Sequence, residues 1–161
     1  MLHTGFALLL VLIANSAPIL IRQLPYFRKS SYPLDFYLQF HDGSRWLGDN
    51  KTWRGLFAAI VLTAICSALI QTGWRTGVVV ALLAMLGDSL SSFIKRRLGL
   101  PPSAMALGLD QIPESLLPLV YLQFCWQIGW WQVGLLVVCF FVLELSISRV
   151  LYYLHIRKHP Y

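Results

Sequence analysis

"GLFAAIVLTAICSALIQTGW", Gly55 to Trp74, runs for twenty residues without one charged side chain. A bilayer core about 30 Å thick is crossed by about 20 apolar residues of helix, so this stretch reads as a transmembrane span. The rest of the chain has the same character. Of 161 residues, 57% are hydrophobic and 12% charged, with a mean hydropathy of +0.63, whereas a soluble domain is about a quarter charged. Continuous apolar runs, rather than alternating ten-residue segments, exclude a β-barrel and leave helix packed on helix. The expected fold class is therefore all-α, a polytopic integral membrane protein with a single transmembrane domain over residues 1–161.

Four more spans follow from the same criterion. One runs from about Thr4 to Leu24, broken near Asn15 and Pro18, and another from Thr76 to Ile94 with the single charge Asp88. The tract from Ile112 to Leu154 is too long for one helix and divides at Gln127 to Gly129 into spans 112–126 and 130–154. The N-terminal run lacks a basic leader and continues through Ile19 to Ile21, which marks a retained span rather than a cleaved signal. Loop 25–54 carries Arg28, Lys29, Arg45, Lys51 and Arg54. Loop 95–111 opens with Lys95, Arg96 and Arg97, and the C-terminal end has Arg149, Arg157 and Lys158. The second loop has only Arg75 and the fourth has no cation. The positive-inside rule then places loops one and three and the C-terminus in the cytoplasm and the N-terminus outside, which five spans satisfy. The expected location is the cytoplasmic (plasma or inner) membrane, with the active site facing the cytoplasm.

The net charge of +6 comes from cations gathered near span ends, where they set topology or meet lipid and nucleotide phosphates. Nothing points to nucleic acid. Cys66, Cys125 and Cys139 stand alone in apolar stretches and read as packing residues. His3, His41, His155 and His159 have no ligand spacing, and no GxSxG elbow is present. The Trp residues, such as Trp74, Trp130 and Trp131, fall mostly near span ends as an interfacial belt.

The seven acids are the informative residues. Six of them, Asp35, Asp42, Asp49, Asp88, Asp110 and Glu114, fall on the expected cytoplasmic side. Glu144 lies inside the last span and reads as a structural acid, with Arg149 nearby. In "GDSLSSFIKRR", Gly87 to Arg97, helical spacing puts Asp88, Ser91 or Ser92, and Lys95 on one face. An ionisable group within a span costs several kcal/mol unless it faces protein, water or ligand, so Asp88 is a functional candidate. In "LGLDQIPESLLP", Leu107 to Pro118, Pro113 suits a first helical turn and places Asp110 and Glu114 at the mouth of the fourth span. At i and i+4 their carboxylates could converge on a divalent cation; equally, Asp110 could cap the helix while Glu114 faces its positive end.

"HDGSRWLGDNKTWRG", His41 to Gly55, adds cations on flexible glycine backbone, suited to phosphate oxygens. On composition alone it could be only a solvated, topology-setting loop. Acids for metal, cations for phosphate and a membrane setting together fit phosphoryl or nucleotidyl transfer to a lipid, a chemistry of positioning and charge neutralisation.

"ANSAP" (Ala14 to Pro18), "PLDF" (Pro33 to Phe36), "DGSRWLGDNKTWRG" (Asp42 to Gly55), "GDSLSSFIKRRLGLPP" (Gly87 to Pro102) and "LDQIPE" (Leu109 to Glu114) occur in the order and spacing of the CDP-archaeol synthases, relatives of the CDP-diacylglycerol synthases. The chain resembles that family over nearly its whole length. The resemblance implies an Mg²⁺-dependent enzyme that transfers CMP from CTP to a membrane lipid phosphate and releases pyrophosphate. It implies Asp88 and Asp110, with Glu114, as metal acids, and Asp88, Lys95 and Asp110 as the catalytic set. Asp49, Lys51, Thr52, Arg54, Ser92, Lys95, Arg96, Arg97 and Gln111 would contact CTP or phosphate. Asn15, Asp35, Asp42 and Arg45 would support the lipid phosphate or the loop.

There is one departure. Archaeal members read Asp-Gln-x-Asp at the fourth span, whereas this chain has Pro113 at the second acid position and Glu114 one residue later, a rotation of about 100° on a helix. That leaves the lipid open between an archaeal geranylgeranyl ether and, as in a bacterial-type variant, another phospholipid or isoprenoid phosphate. A non-catalytic lipid-binding or transport scaffold is the competing reading, but polar groups gathered at one face argue against a transporter's midplane site. The DGxxAR…GxxxDxxxD pattern of CDP-alcohol phosphotransfer is missing, although "DGSR" at Asp42 mimics its start.

Overall fold

The computed structural model describes residues 2–23, 32–101 and 104–153. The sequence features at Arg28, Lys29, Pro102, His155, Arg157, Lys158 and His159 lie outside them. Five helices follow one another: α1 (Leu2–Gln23), α2 (Trp53–Leu69), α3 (Trp74–Arg97), α4 (Gln111–Trp126) and α5 (Trp130–Tyr153). The all-helical class is as expected. Among the described residues α1, α3 and α5 are long and apolar enough to cross a membrane, while α2 is apolar but shorter. Helices α2, α3 and α5 begin at a Trp and α4 ends at one, as interfacial anchoring requires.

Several boundaries differ from the sequence expectation for physical reasons. Helix α1 is not broken near Asn15 and Pro18. Pro18 leaves only the Ala14 carbonyl without its helical donor, and just upstream Asn15 Nδ2 and Ser16 Oγ donate to the carbonyls of Val11 and Leu12 at 3.0 and 2.7 Å. Helix α2 starts at Trp53 because Thr52 is its N-cap, with Oγ1 accepting from Gly55 N at 3.3 Å. It ends at Leu69, before Gln71 and Gly73 take positive φ, so the twenty-residue run includes a turn. Helix α3 extends to Arg97, which places Lys95, Arg96 and Arg97 in its last turn instead of in the loop. A Schellman closure ends it: Gly99 at φ 70°, with Leu100 N donating to Lys95 O and Gly99 N to Arg96 O.

Each helix packs on the next, and α1 also touches α3, α4 and α5, so it is the centre of the bundle. Away from the site, Leu10, Val11, Leu119, Leu122 and Phe140 form the apolar core. Toward the site the helices meet through small residues: Ala14 and Ala17 of α1, Ala59 of α2, and Ala81 and Ala84 of α3. Lipid tails are as apolar as a side chain, so close backbone approach is what holds membrane helices together. Two glycines make the closest approaches. A Cβ on Gly77 would meet Ser67 Cβ at 2.7 Å and Ala64 Cα at 2.8 Å, and one on Gly87 would meet the Pro113 carbonyl and, at 2.6 Å, Glu114 N.

Candidate active site

The first loop, the N-termini of α2 and α4 and the C-terminal half of α3 lie at one end of the bundle. The starts of α2 and α4 are closed from within, with Trp53 N donating to Tyr32 O, Gly55 N to Thr52 Oγ1 and Ile112 N to Gly108 O, and three cations close the negative end of α3. The Lys51 ammonium pairs with the Asp88 carboxylate, joining loop to α3. Lys95 Nζ pairs with Asp110 Oδ1 at 2.6 Å and donates to Ala104 O at 3.2 Å, joining α3 to the mouth of α4. A cavity of about 30 Å³ beside Lys51 and Asp88 is lined by residues that include Pro18, Gly55, Met85 and Ser89. Each of the two principal acids thus faces a lysine.

Asp110 has helical backbone angles and makes no side-chain cap to α4. Its Oδ2 accepts instead from Ala106 N at 3.1 Å, while Gln111 Oε1 accepts from Gly108 N at 2.9 Å. These two bonds fold the segment before α4. Glu114 is nearly buried, and its Oε1 has no hydrogen-bond partner. The Gly87 contact sets α4 against α3 at this level, and Asp88, Lys51 and Glu144 of α5 lie within electrostatic reach of Glu114. Asp110 and Glu114 are therefore turned to different neighbours: the first to Lys95, the second to Asp88 and Glu144.

Two residues near the site were not singled out as functional from sequence. Glu144 lies toward Glu114 across α4 and α5; its signal was a lone acid inside a span. Gly87 brings α3 onto α4, and only its place next to Asp88 hinted at that.

The first loop is built around Asp35. Its carboxylate pairs with Arg45 and accepts from the backbone N–H groups of Tyr37, Leu47 and Gly48 at 3.2, 3.1 and 3.0 Å. Arg45 also pairs with Asp49 and lies 4.7 Å over the Tyr37 ring. Arg97 ties the loop to α3: its guanidinium donates to Asp42 Oδ1 at 2.8 Å and to Arg45 O at 2.9 Å, and sits over Phe40. Buried Arg96 donates to Pro101 O at 2.9 Å. Ser92 is buried, and Ser91 Oγ donates to the Asp88 carbonyl. Arg54 stands in the first turn of α2, while Asn15 sits within α1, its Oδ1 buried and without a hydrogen-bond partner.

Burial alone would raise the Asp35 carboxyl, but Arg45 and the three N–H donors outweigh it and hold the group below its ordinary value of 3.8. A depressed carboxyl contributes stability above its unfolded-state value and loses it as pH falls through the folded one. Amide exchange in residues 33–48 is thus expected to stay slow down to the ordinary carboxylate range and rise only below it. In Asp35→Asn it should be fast already at neutral pH.

The donors suit a hard divalent cation. Asp88, Asp110 and the unsatisfied Glu114 Oε1 are carboxylate oxygens, and crowding Glu114 toward Glu144 and Asp88 is costly unless a proton or cation lies among them. Among the described residues no three His, Cys, Asp or Glu side chains converge as a ready metal cage. A magnesium–nucleotide site is of that kind, since it uses one or two carboxylates and takes its other ligands from phosphate and water.

The sequence profile of the CarS-like CDP-archaeol synthases matches residues 2–161. The chain belongs to the CDP-archaeol synthase family. The CDP-archaeol synthase of Sulfurisphaera tokodaii is 38% identical over 159 residues, covering 93% of this chain and 90% of the relative. That of Sulfolobus acidocaldarius is 38% identical over 157 residues, with 93% and 91% covered. A solved structure, described as an intramembrane enzyme for archaeal membrane lipids biosynthesis, superposes with a TM-score of 0.73 at 26% identity, covering 89% of this chain and 90% of its own. The membrane setting and the enzyme class read from the motifs agree with these relatives.

Proposed function

We propose that this protein is a CTP-dependent cytidylyltransferase that transfers CMP to the phosphate of an isoprenoid ether lipid, giving a CDP-lipid and pyrophosphate at the cytoplasmic face of the plasma membrane. The observation that carries the proposal is the pair of lysine–carboxylate bridges, Lys51 with Asp88 and Lys95 with Asp110. They gather loop, α3 and α4 around one mouth, and each bridge can exchange partners: its carboxylate toward a cation, its lysine toward a phosphate.

In this reading Asp88 and Asp110, with Glu114 as the longer substitute for the displaced second Asp, would hold Mg²⁺. That ion would neutralise charge on the CTP phosphates. Lys51 and Lys95, released from their carboxylates, bind phosphate oxygens as mobile point charges. An oxygen of the lipid phosphate attacks the α-phosphorus of CTP; the bond from that phosphorus to the bridging oxygen breaks, and pyrophosphate leaves with its electron pair. The nucleophile is already anionic, so no strong base is needed. Arg97 and Asp35 act one layer out, fixing the loop from which Lys51 projects.

The test is to incubate the purified protein with CTP labelled at the α-phosphate and a panel of lipid phosphates, ether isoprenoid and diacyl, with Mg²⁺ and with EDTA. The expected outcome is Mg²⁺-dependent label in a CDP-lipid, highest for the isoprenoid ether. Label in no lipid of the panel would sink the assignment in favour of a scaffold.

A further inference from the structure

The first loop carries its own apolar surface. Phe36, Tyr37 and Leu38 are 62%, 60% and 59% exposed, although they lie outside every helix. Phe36 and Tyr37 have φ of 46° and 66°, a conformation unfavourable for bulky residues. Buried Asp35 holds them there through the Tyr37 N–H. Behind them is a cavity of about 210 Å³ whose lining includes Leu34, Phe36, Leu38, Trp46 and Leu47.

Both walls of this groove continue into bundle surfaces that face lipid. The Phe36 ring lies 5.8 Å from Trp53, and Trp53 lies 6.1 Å from Phe57, which heads the exposed α2 stripe of Phe57, Val61 and Ile65. On the other side Trp46 lies 5.9 Å from Phe93, next to the exposed α3 stripe of Leu86, Leu90 and Ile94. The depth agrees. Helix α2 has 17 residues, about 25 Å of rise, less than the roughly 30 Å hydrocarbon core. Its start, paired with the loop through the Pro33–Thr52 bridge and the bond from Trp53 N to Tyr32 O, is therefore drawn to the edge of the hydrocarbon. Among the described residues the loop acids Asp35, Asp42 and Asp49 and the cations Arg45, Lys51 and Arg97 are engaged in ion pairs, so the attraction of this face is apolar and aromatic.

We propose that the apolar face of the first loop, Phe36 to Leu38 and the groove against Trp46, is seated in the bilayer interface and occupied by hydrocarbon of bulk membrane lipid. The loop that carries Lys51 is thereby anchored to the membrane surface as well as to α3. The anchor does not depend on the enzymatic reading, and its test reads immersion, not turnover.

The experiment places an environment-sensitive fluorophore on Phe36→Cys, and separately on Leu38→Cys, in a Cys66→Ser, Cys125→Ser, Cys139→Ser background. Asp49→Cys, on the same loop with a side chain 75% exposed, is the aqueous control. Each protein, checked for helicity and monodispersity, is placed one copy per nanodisc in phosphatidylcholine without substrate. Emission from positions 36 and 38 should shift to the blue, lose quenching by iodide and gain quenching by acyl-chain spin-labelled lipid, unchanged by salt, while position 49 stays water-like. Iodide quenching equal to that of position 49 would overturn the proposal. So would shielding that appears only on adding a lipid phosphate, which assigns the groove to substrate, or only with several copies per disc, which assigns it to a second chain.

Discussion

Asp88→Asn is expected to abolish CDP-lipid formation from CTP while leaving the helical bundle intact. The side chain keeps its shape and can still accept from Lys51, so the link between loop and α3 is weakened but not emptied. What is lost is the negative charge. Without it Lys51 loses its paired carboxylate, and the site proposed above loses one of the acids that would hold the divalent cation. Removing one preorganised electrostatic group from a reaction centre costs about a hundred- to a thousandfold, and an acid in the proposed metal-holding role belongs at the upper end. The measurement is label transfer from α-labelled CTP across a Mg²⁺ titration, beside a thermal melt in detergent. Near-normal turnover at the same Mg²⁺ midpoint would reduce Asp88 to a counter-ion for Lys51.

The sequence carried the fold in its long apolar runs, because hydropathy is a direct record of the solvent around a helix. It misread ends where a side chain acts on the backbone. Thr52 starts α2 two residues before the apolar run does, and Gln71 with Gly73 ends it early. Pro18, taken as a break, is accommodated in a continuous α1. For the candidate site, the acids and lysines were legible as residue types at one end of the molecule. Their pairing was not, since Lys51 and Asp88 are 37 positions apart and no local periodicity links a loop to a neighbouring span. Spacing left Asp110 either converging with Glu114 on a cation or capping α4, and the cap is not made. The backbone N–H of Ala106 and the Lys95 ammonium turn Asp110 aside, contacts that depend on how the 104–110 segment folds back.

Gly87→Ala should cost both stability and activity, and the second loss should follow from the first. In α3 an alanine ordinarily favours the helix over glycine by about 1 kcal/mol. Here its Cβ would enter the Pro113 carbonyl and come within 2.6 Å of Glu114 N. Those atoms are backbone and cannot rotate away, so α3 and α4 must separate. Overpacking of this kind costs about 1–3 kcal/mol, enough to outweigh the gain in helix propensity. Separation moves Asp88 relative to Glu114 and Asp110, and a displacement of about 1 Å in a positioned reaction centre costs roughly a hundredfold in rate. Gly134→Ala is the control, since a Cβ there meets nothing within 4 Å. The expected result is a lowered melting temperature and a much reduced CMP transfer for Gly87→Ala, with Gly134→Ala at or above the parent in both. If the two variants melt and turn over alike, α3 and α4 do not meet at Gly87, and the juxtaposition of Asp88 with Glu114 goes with that contact.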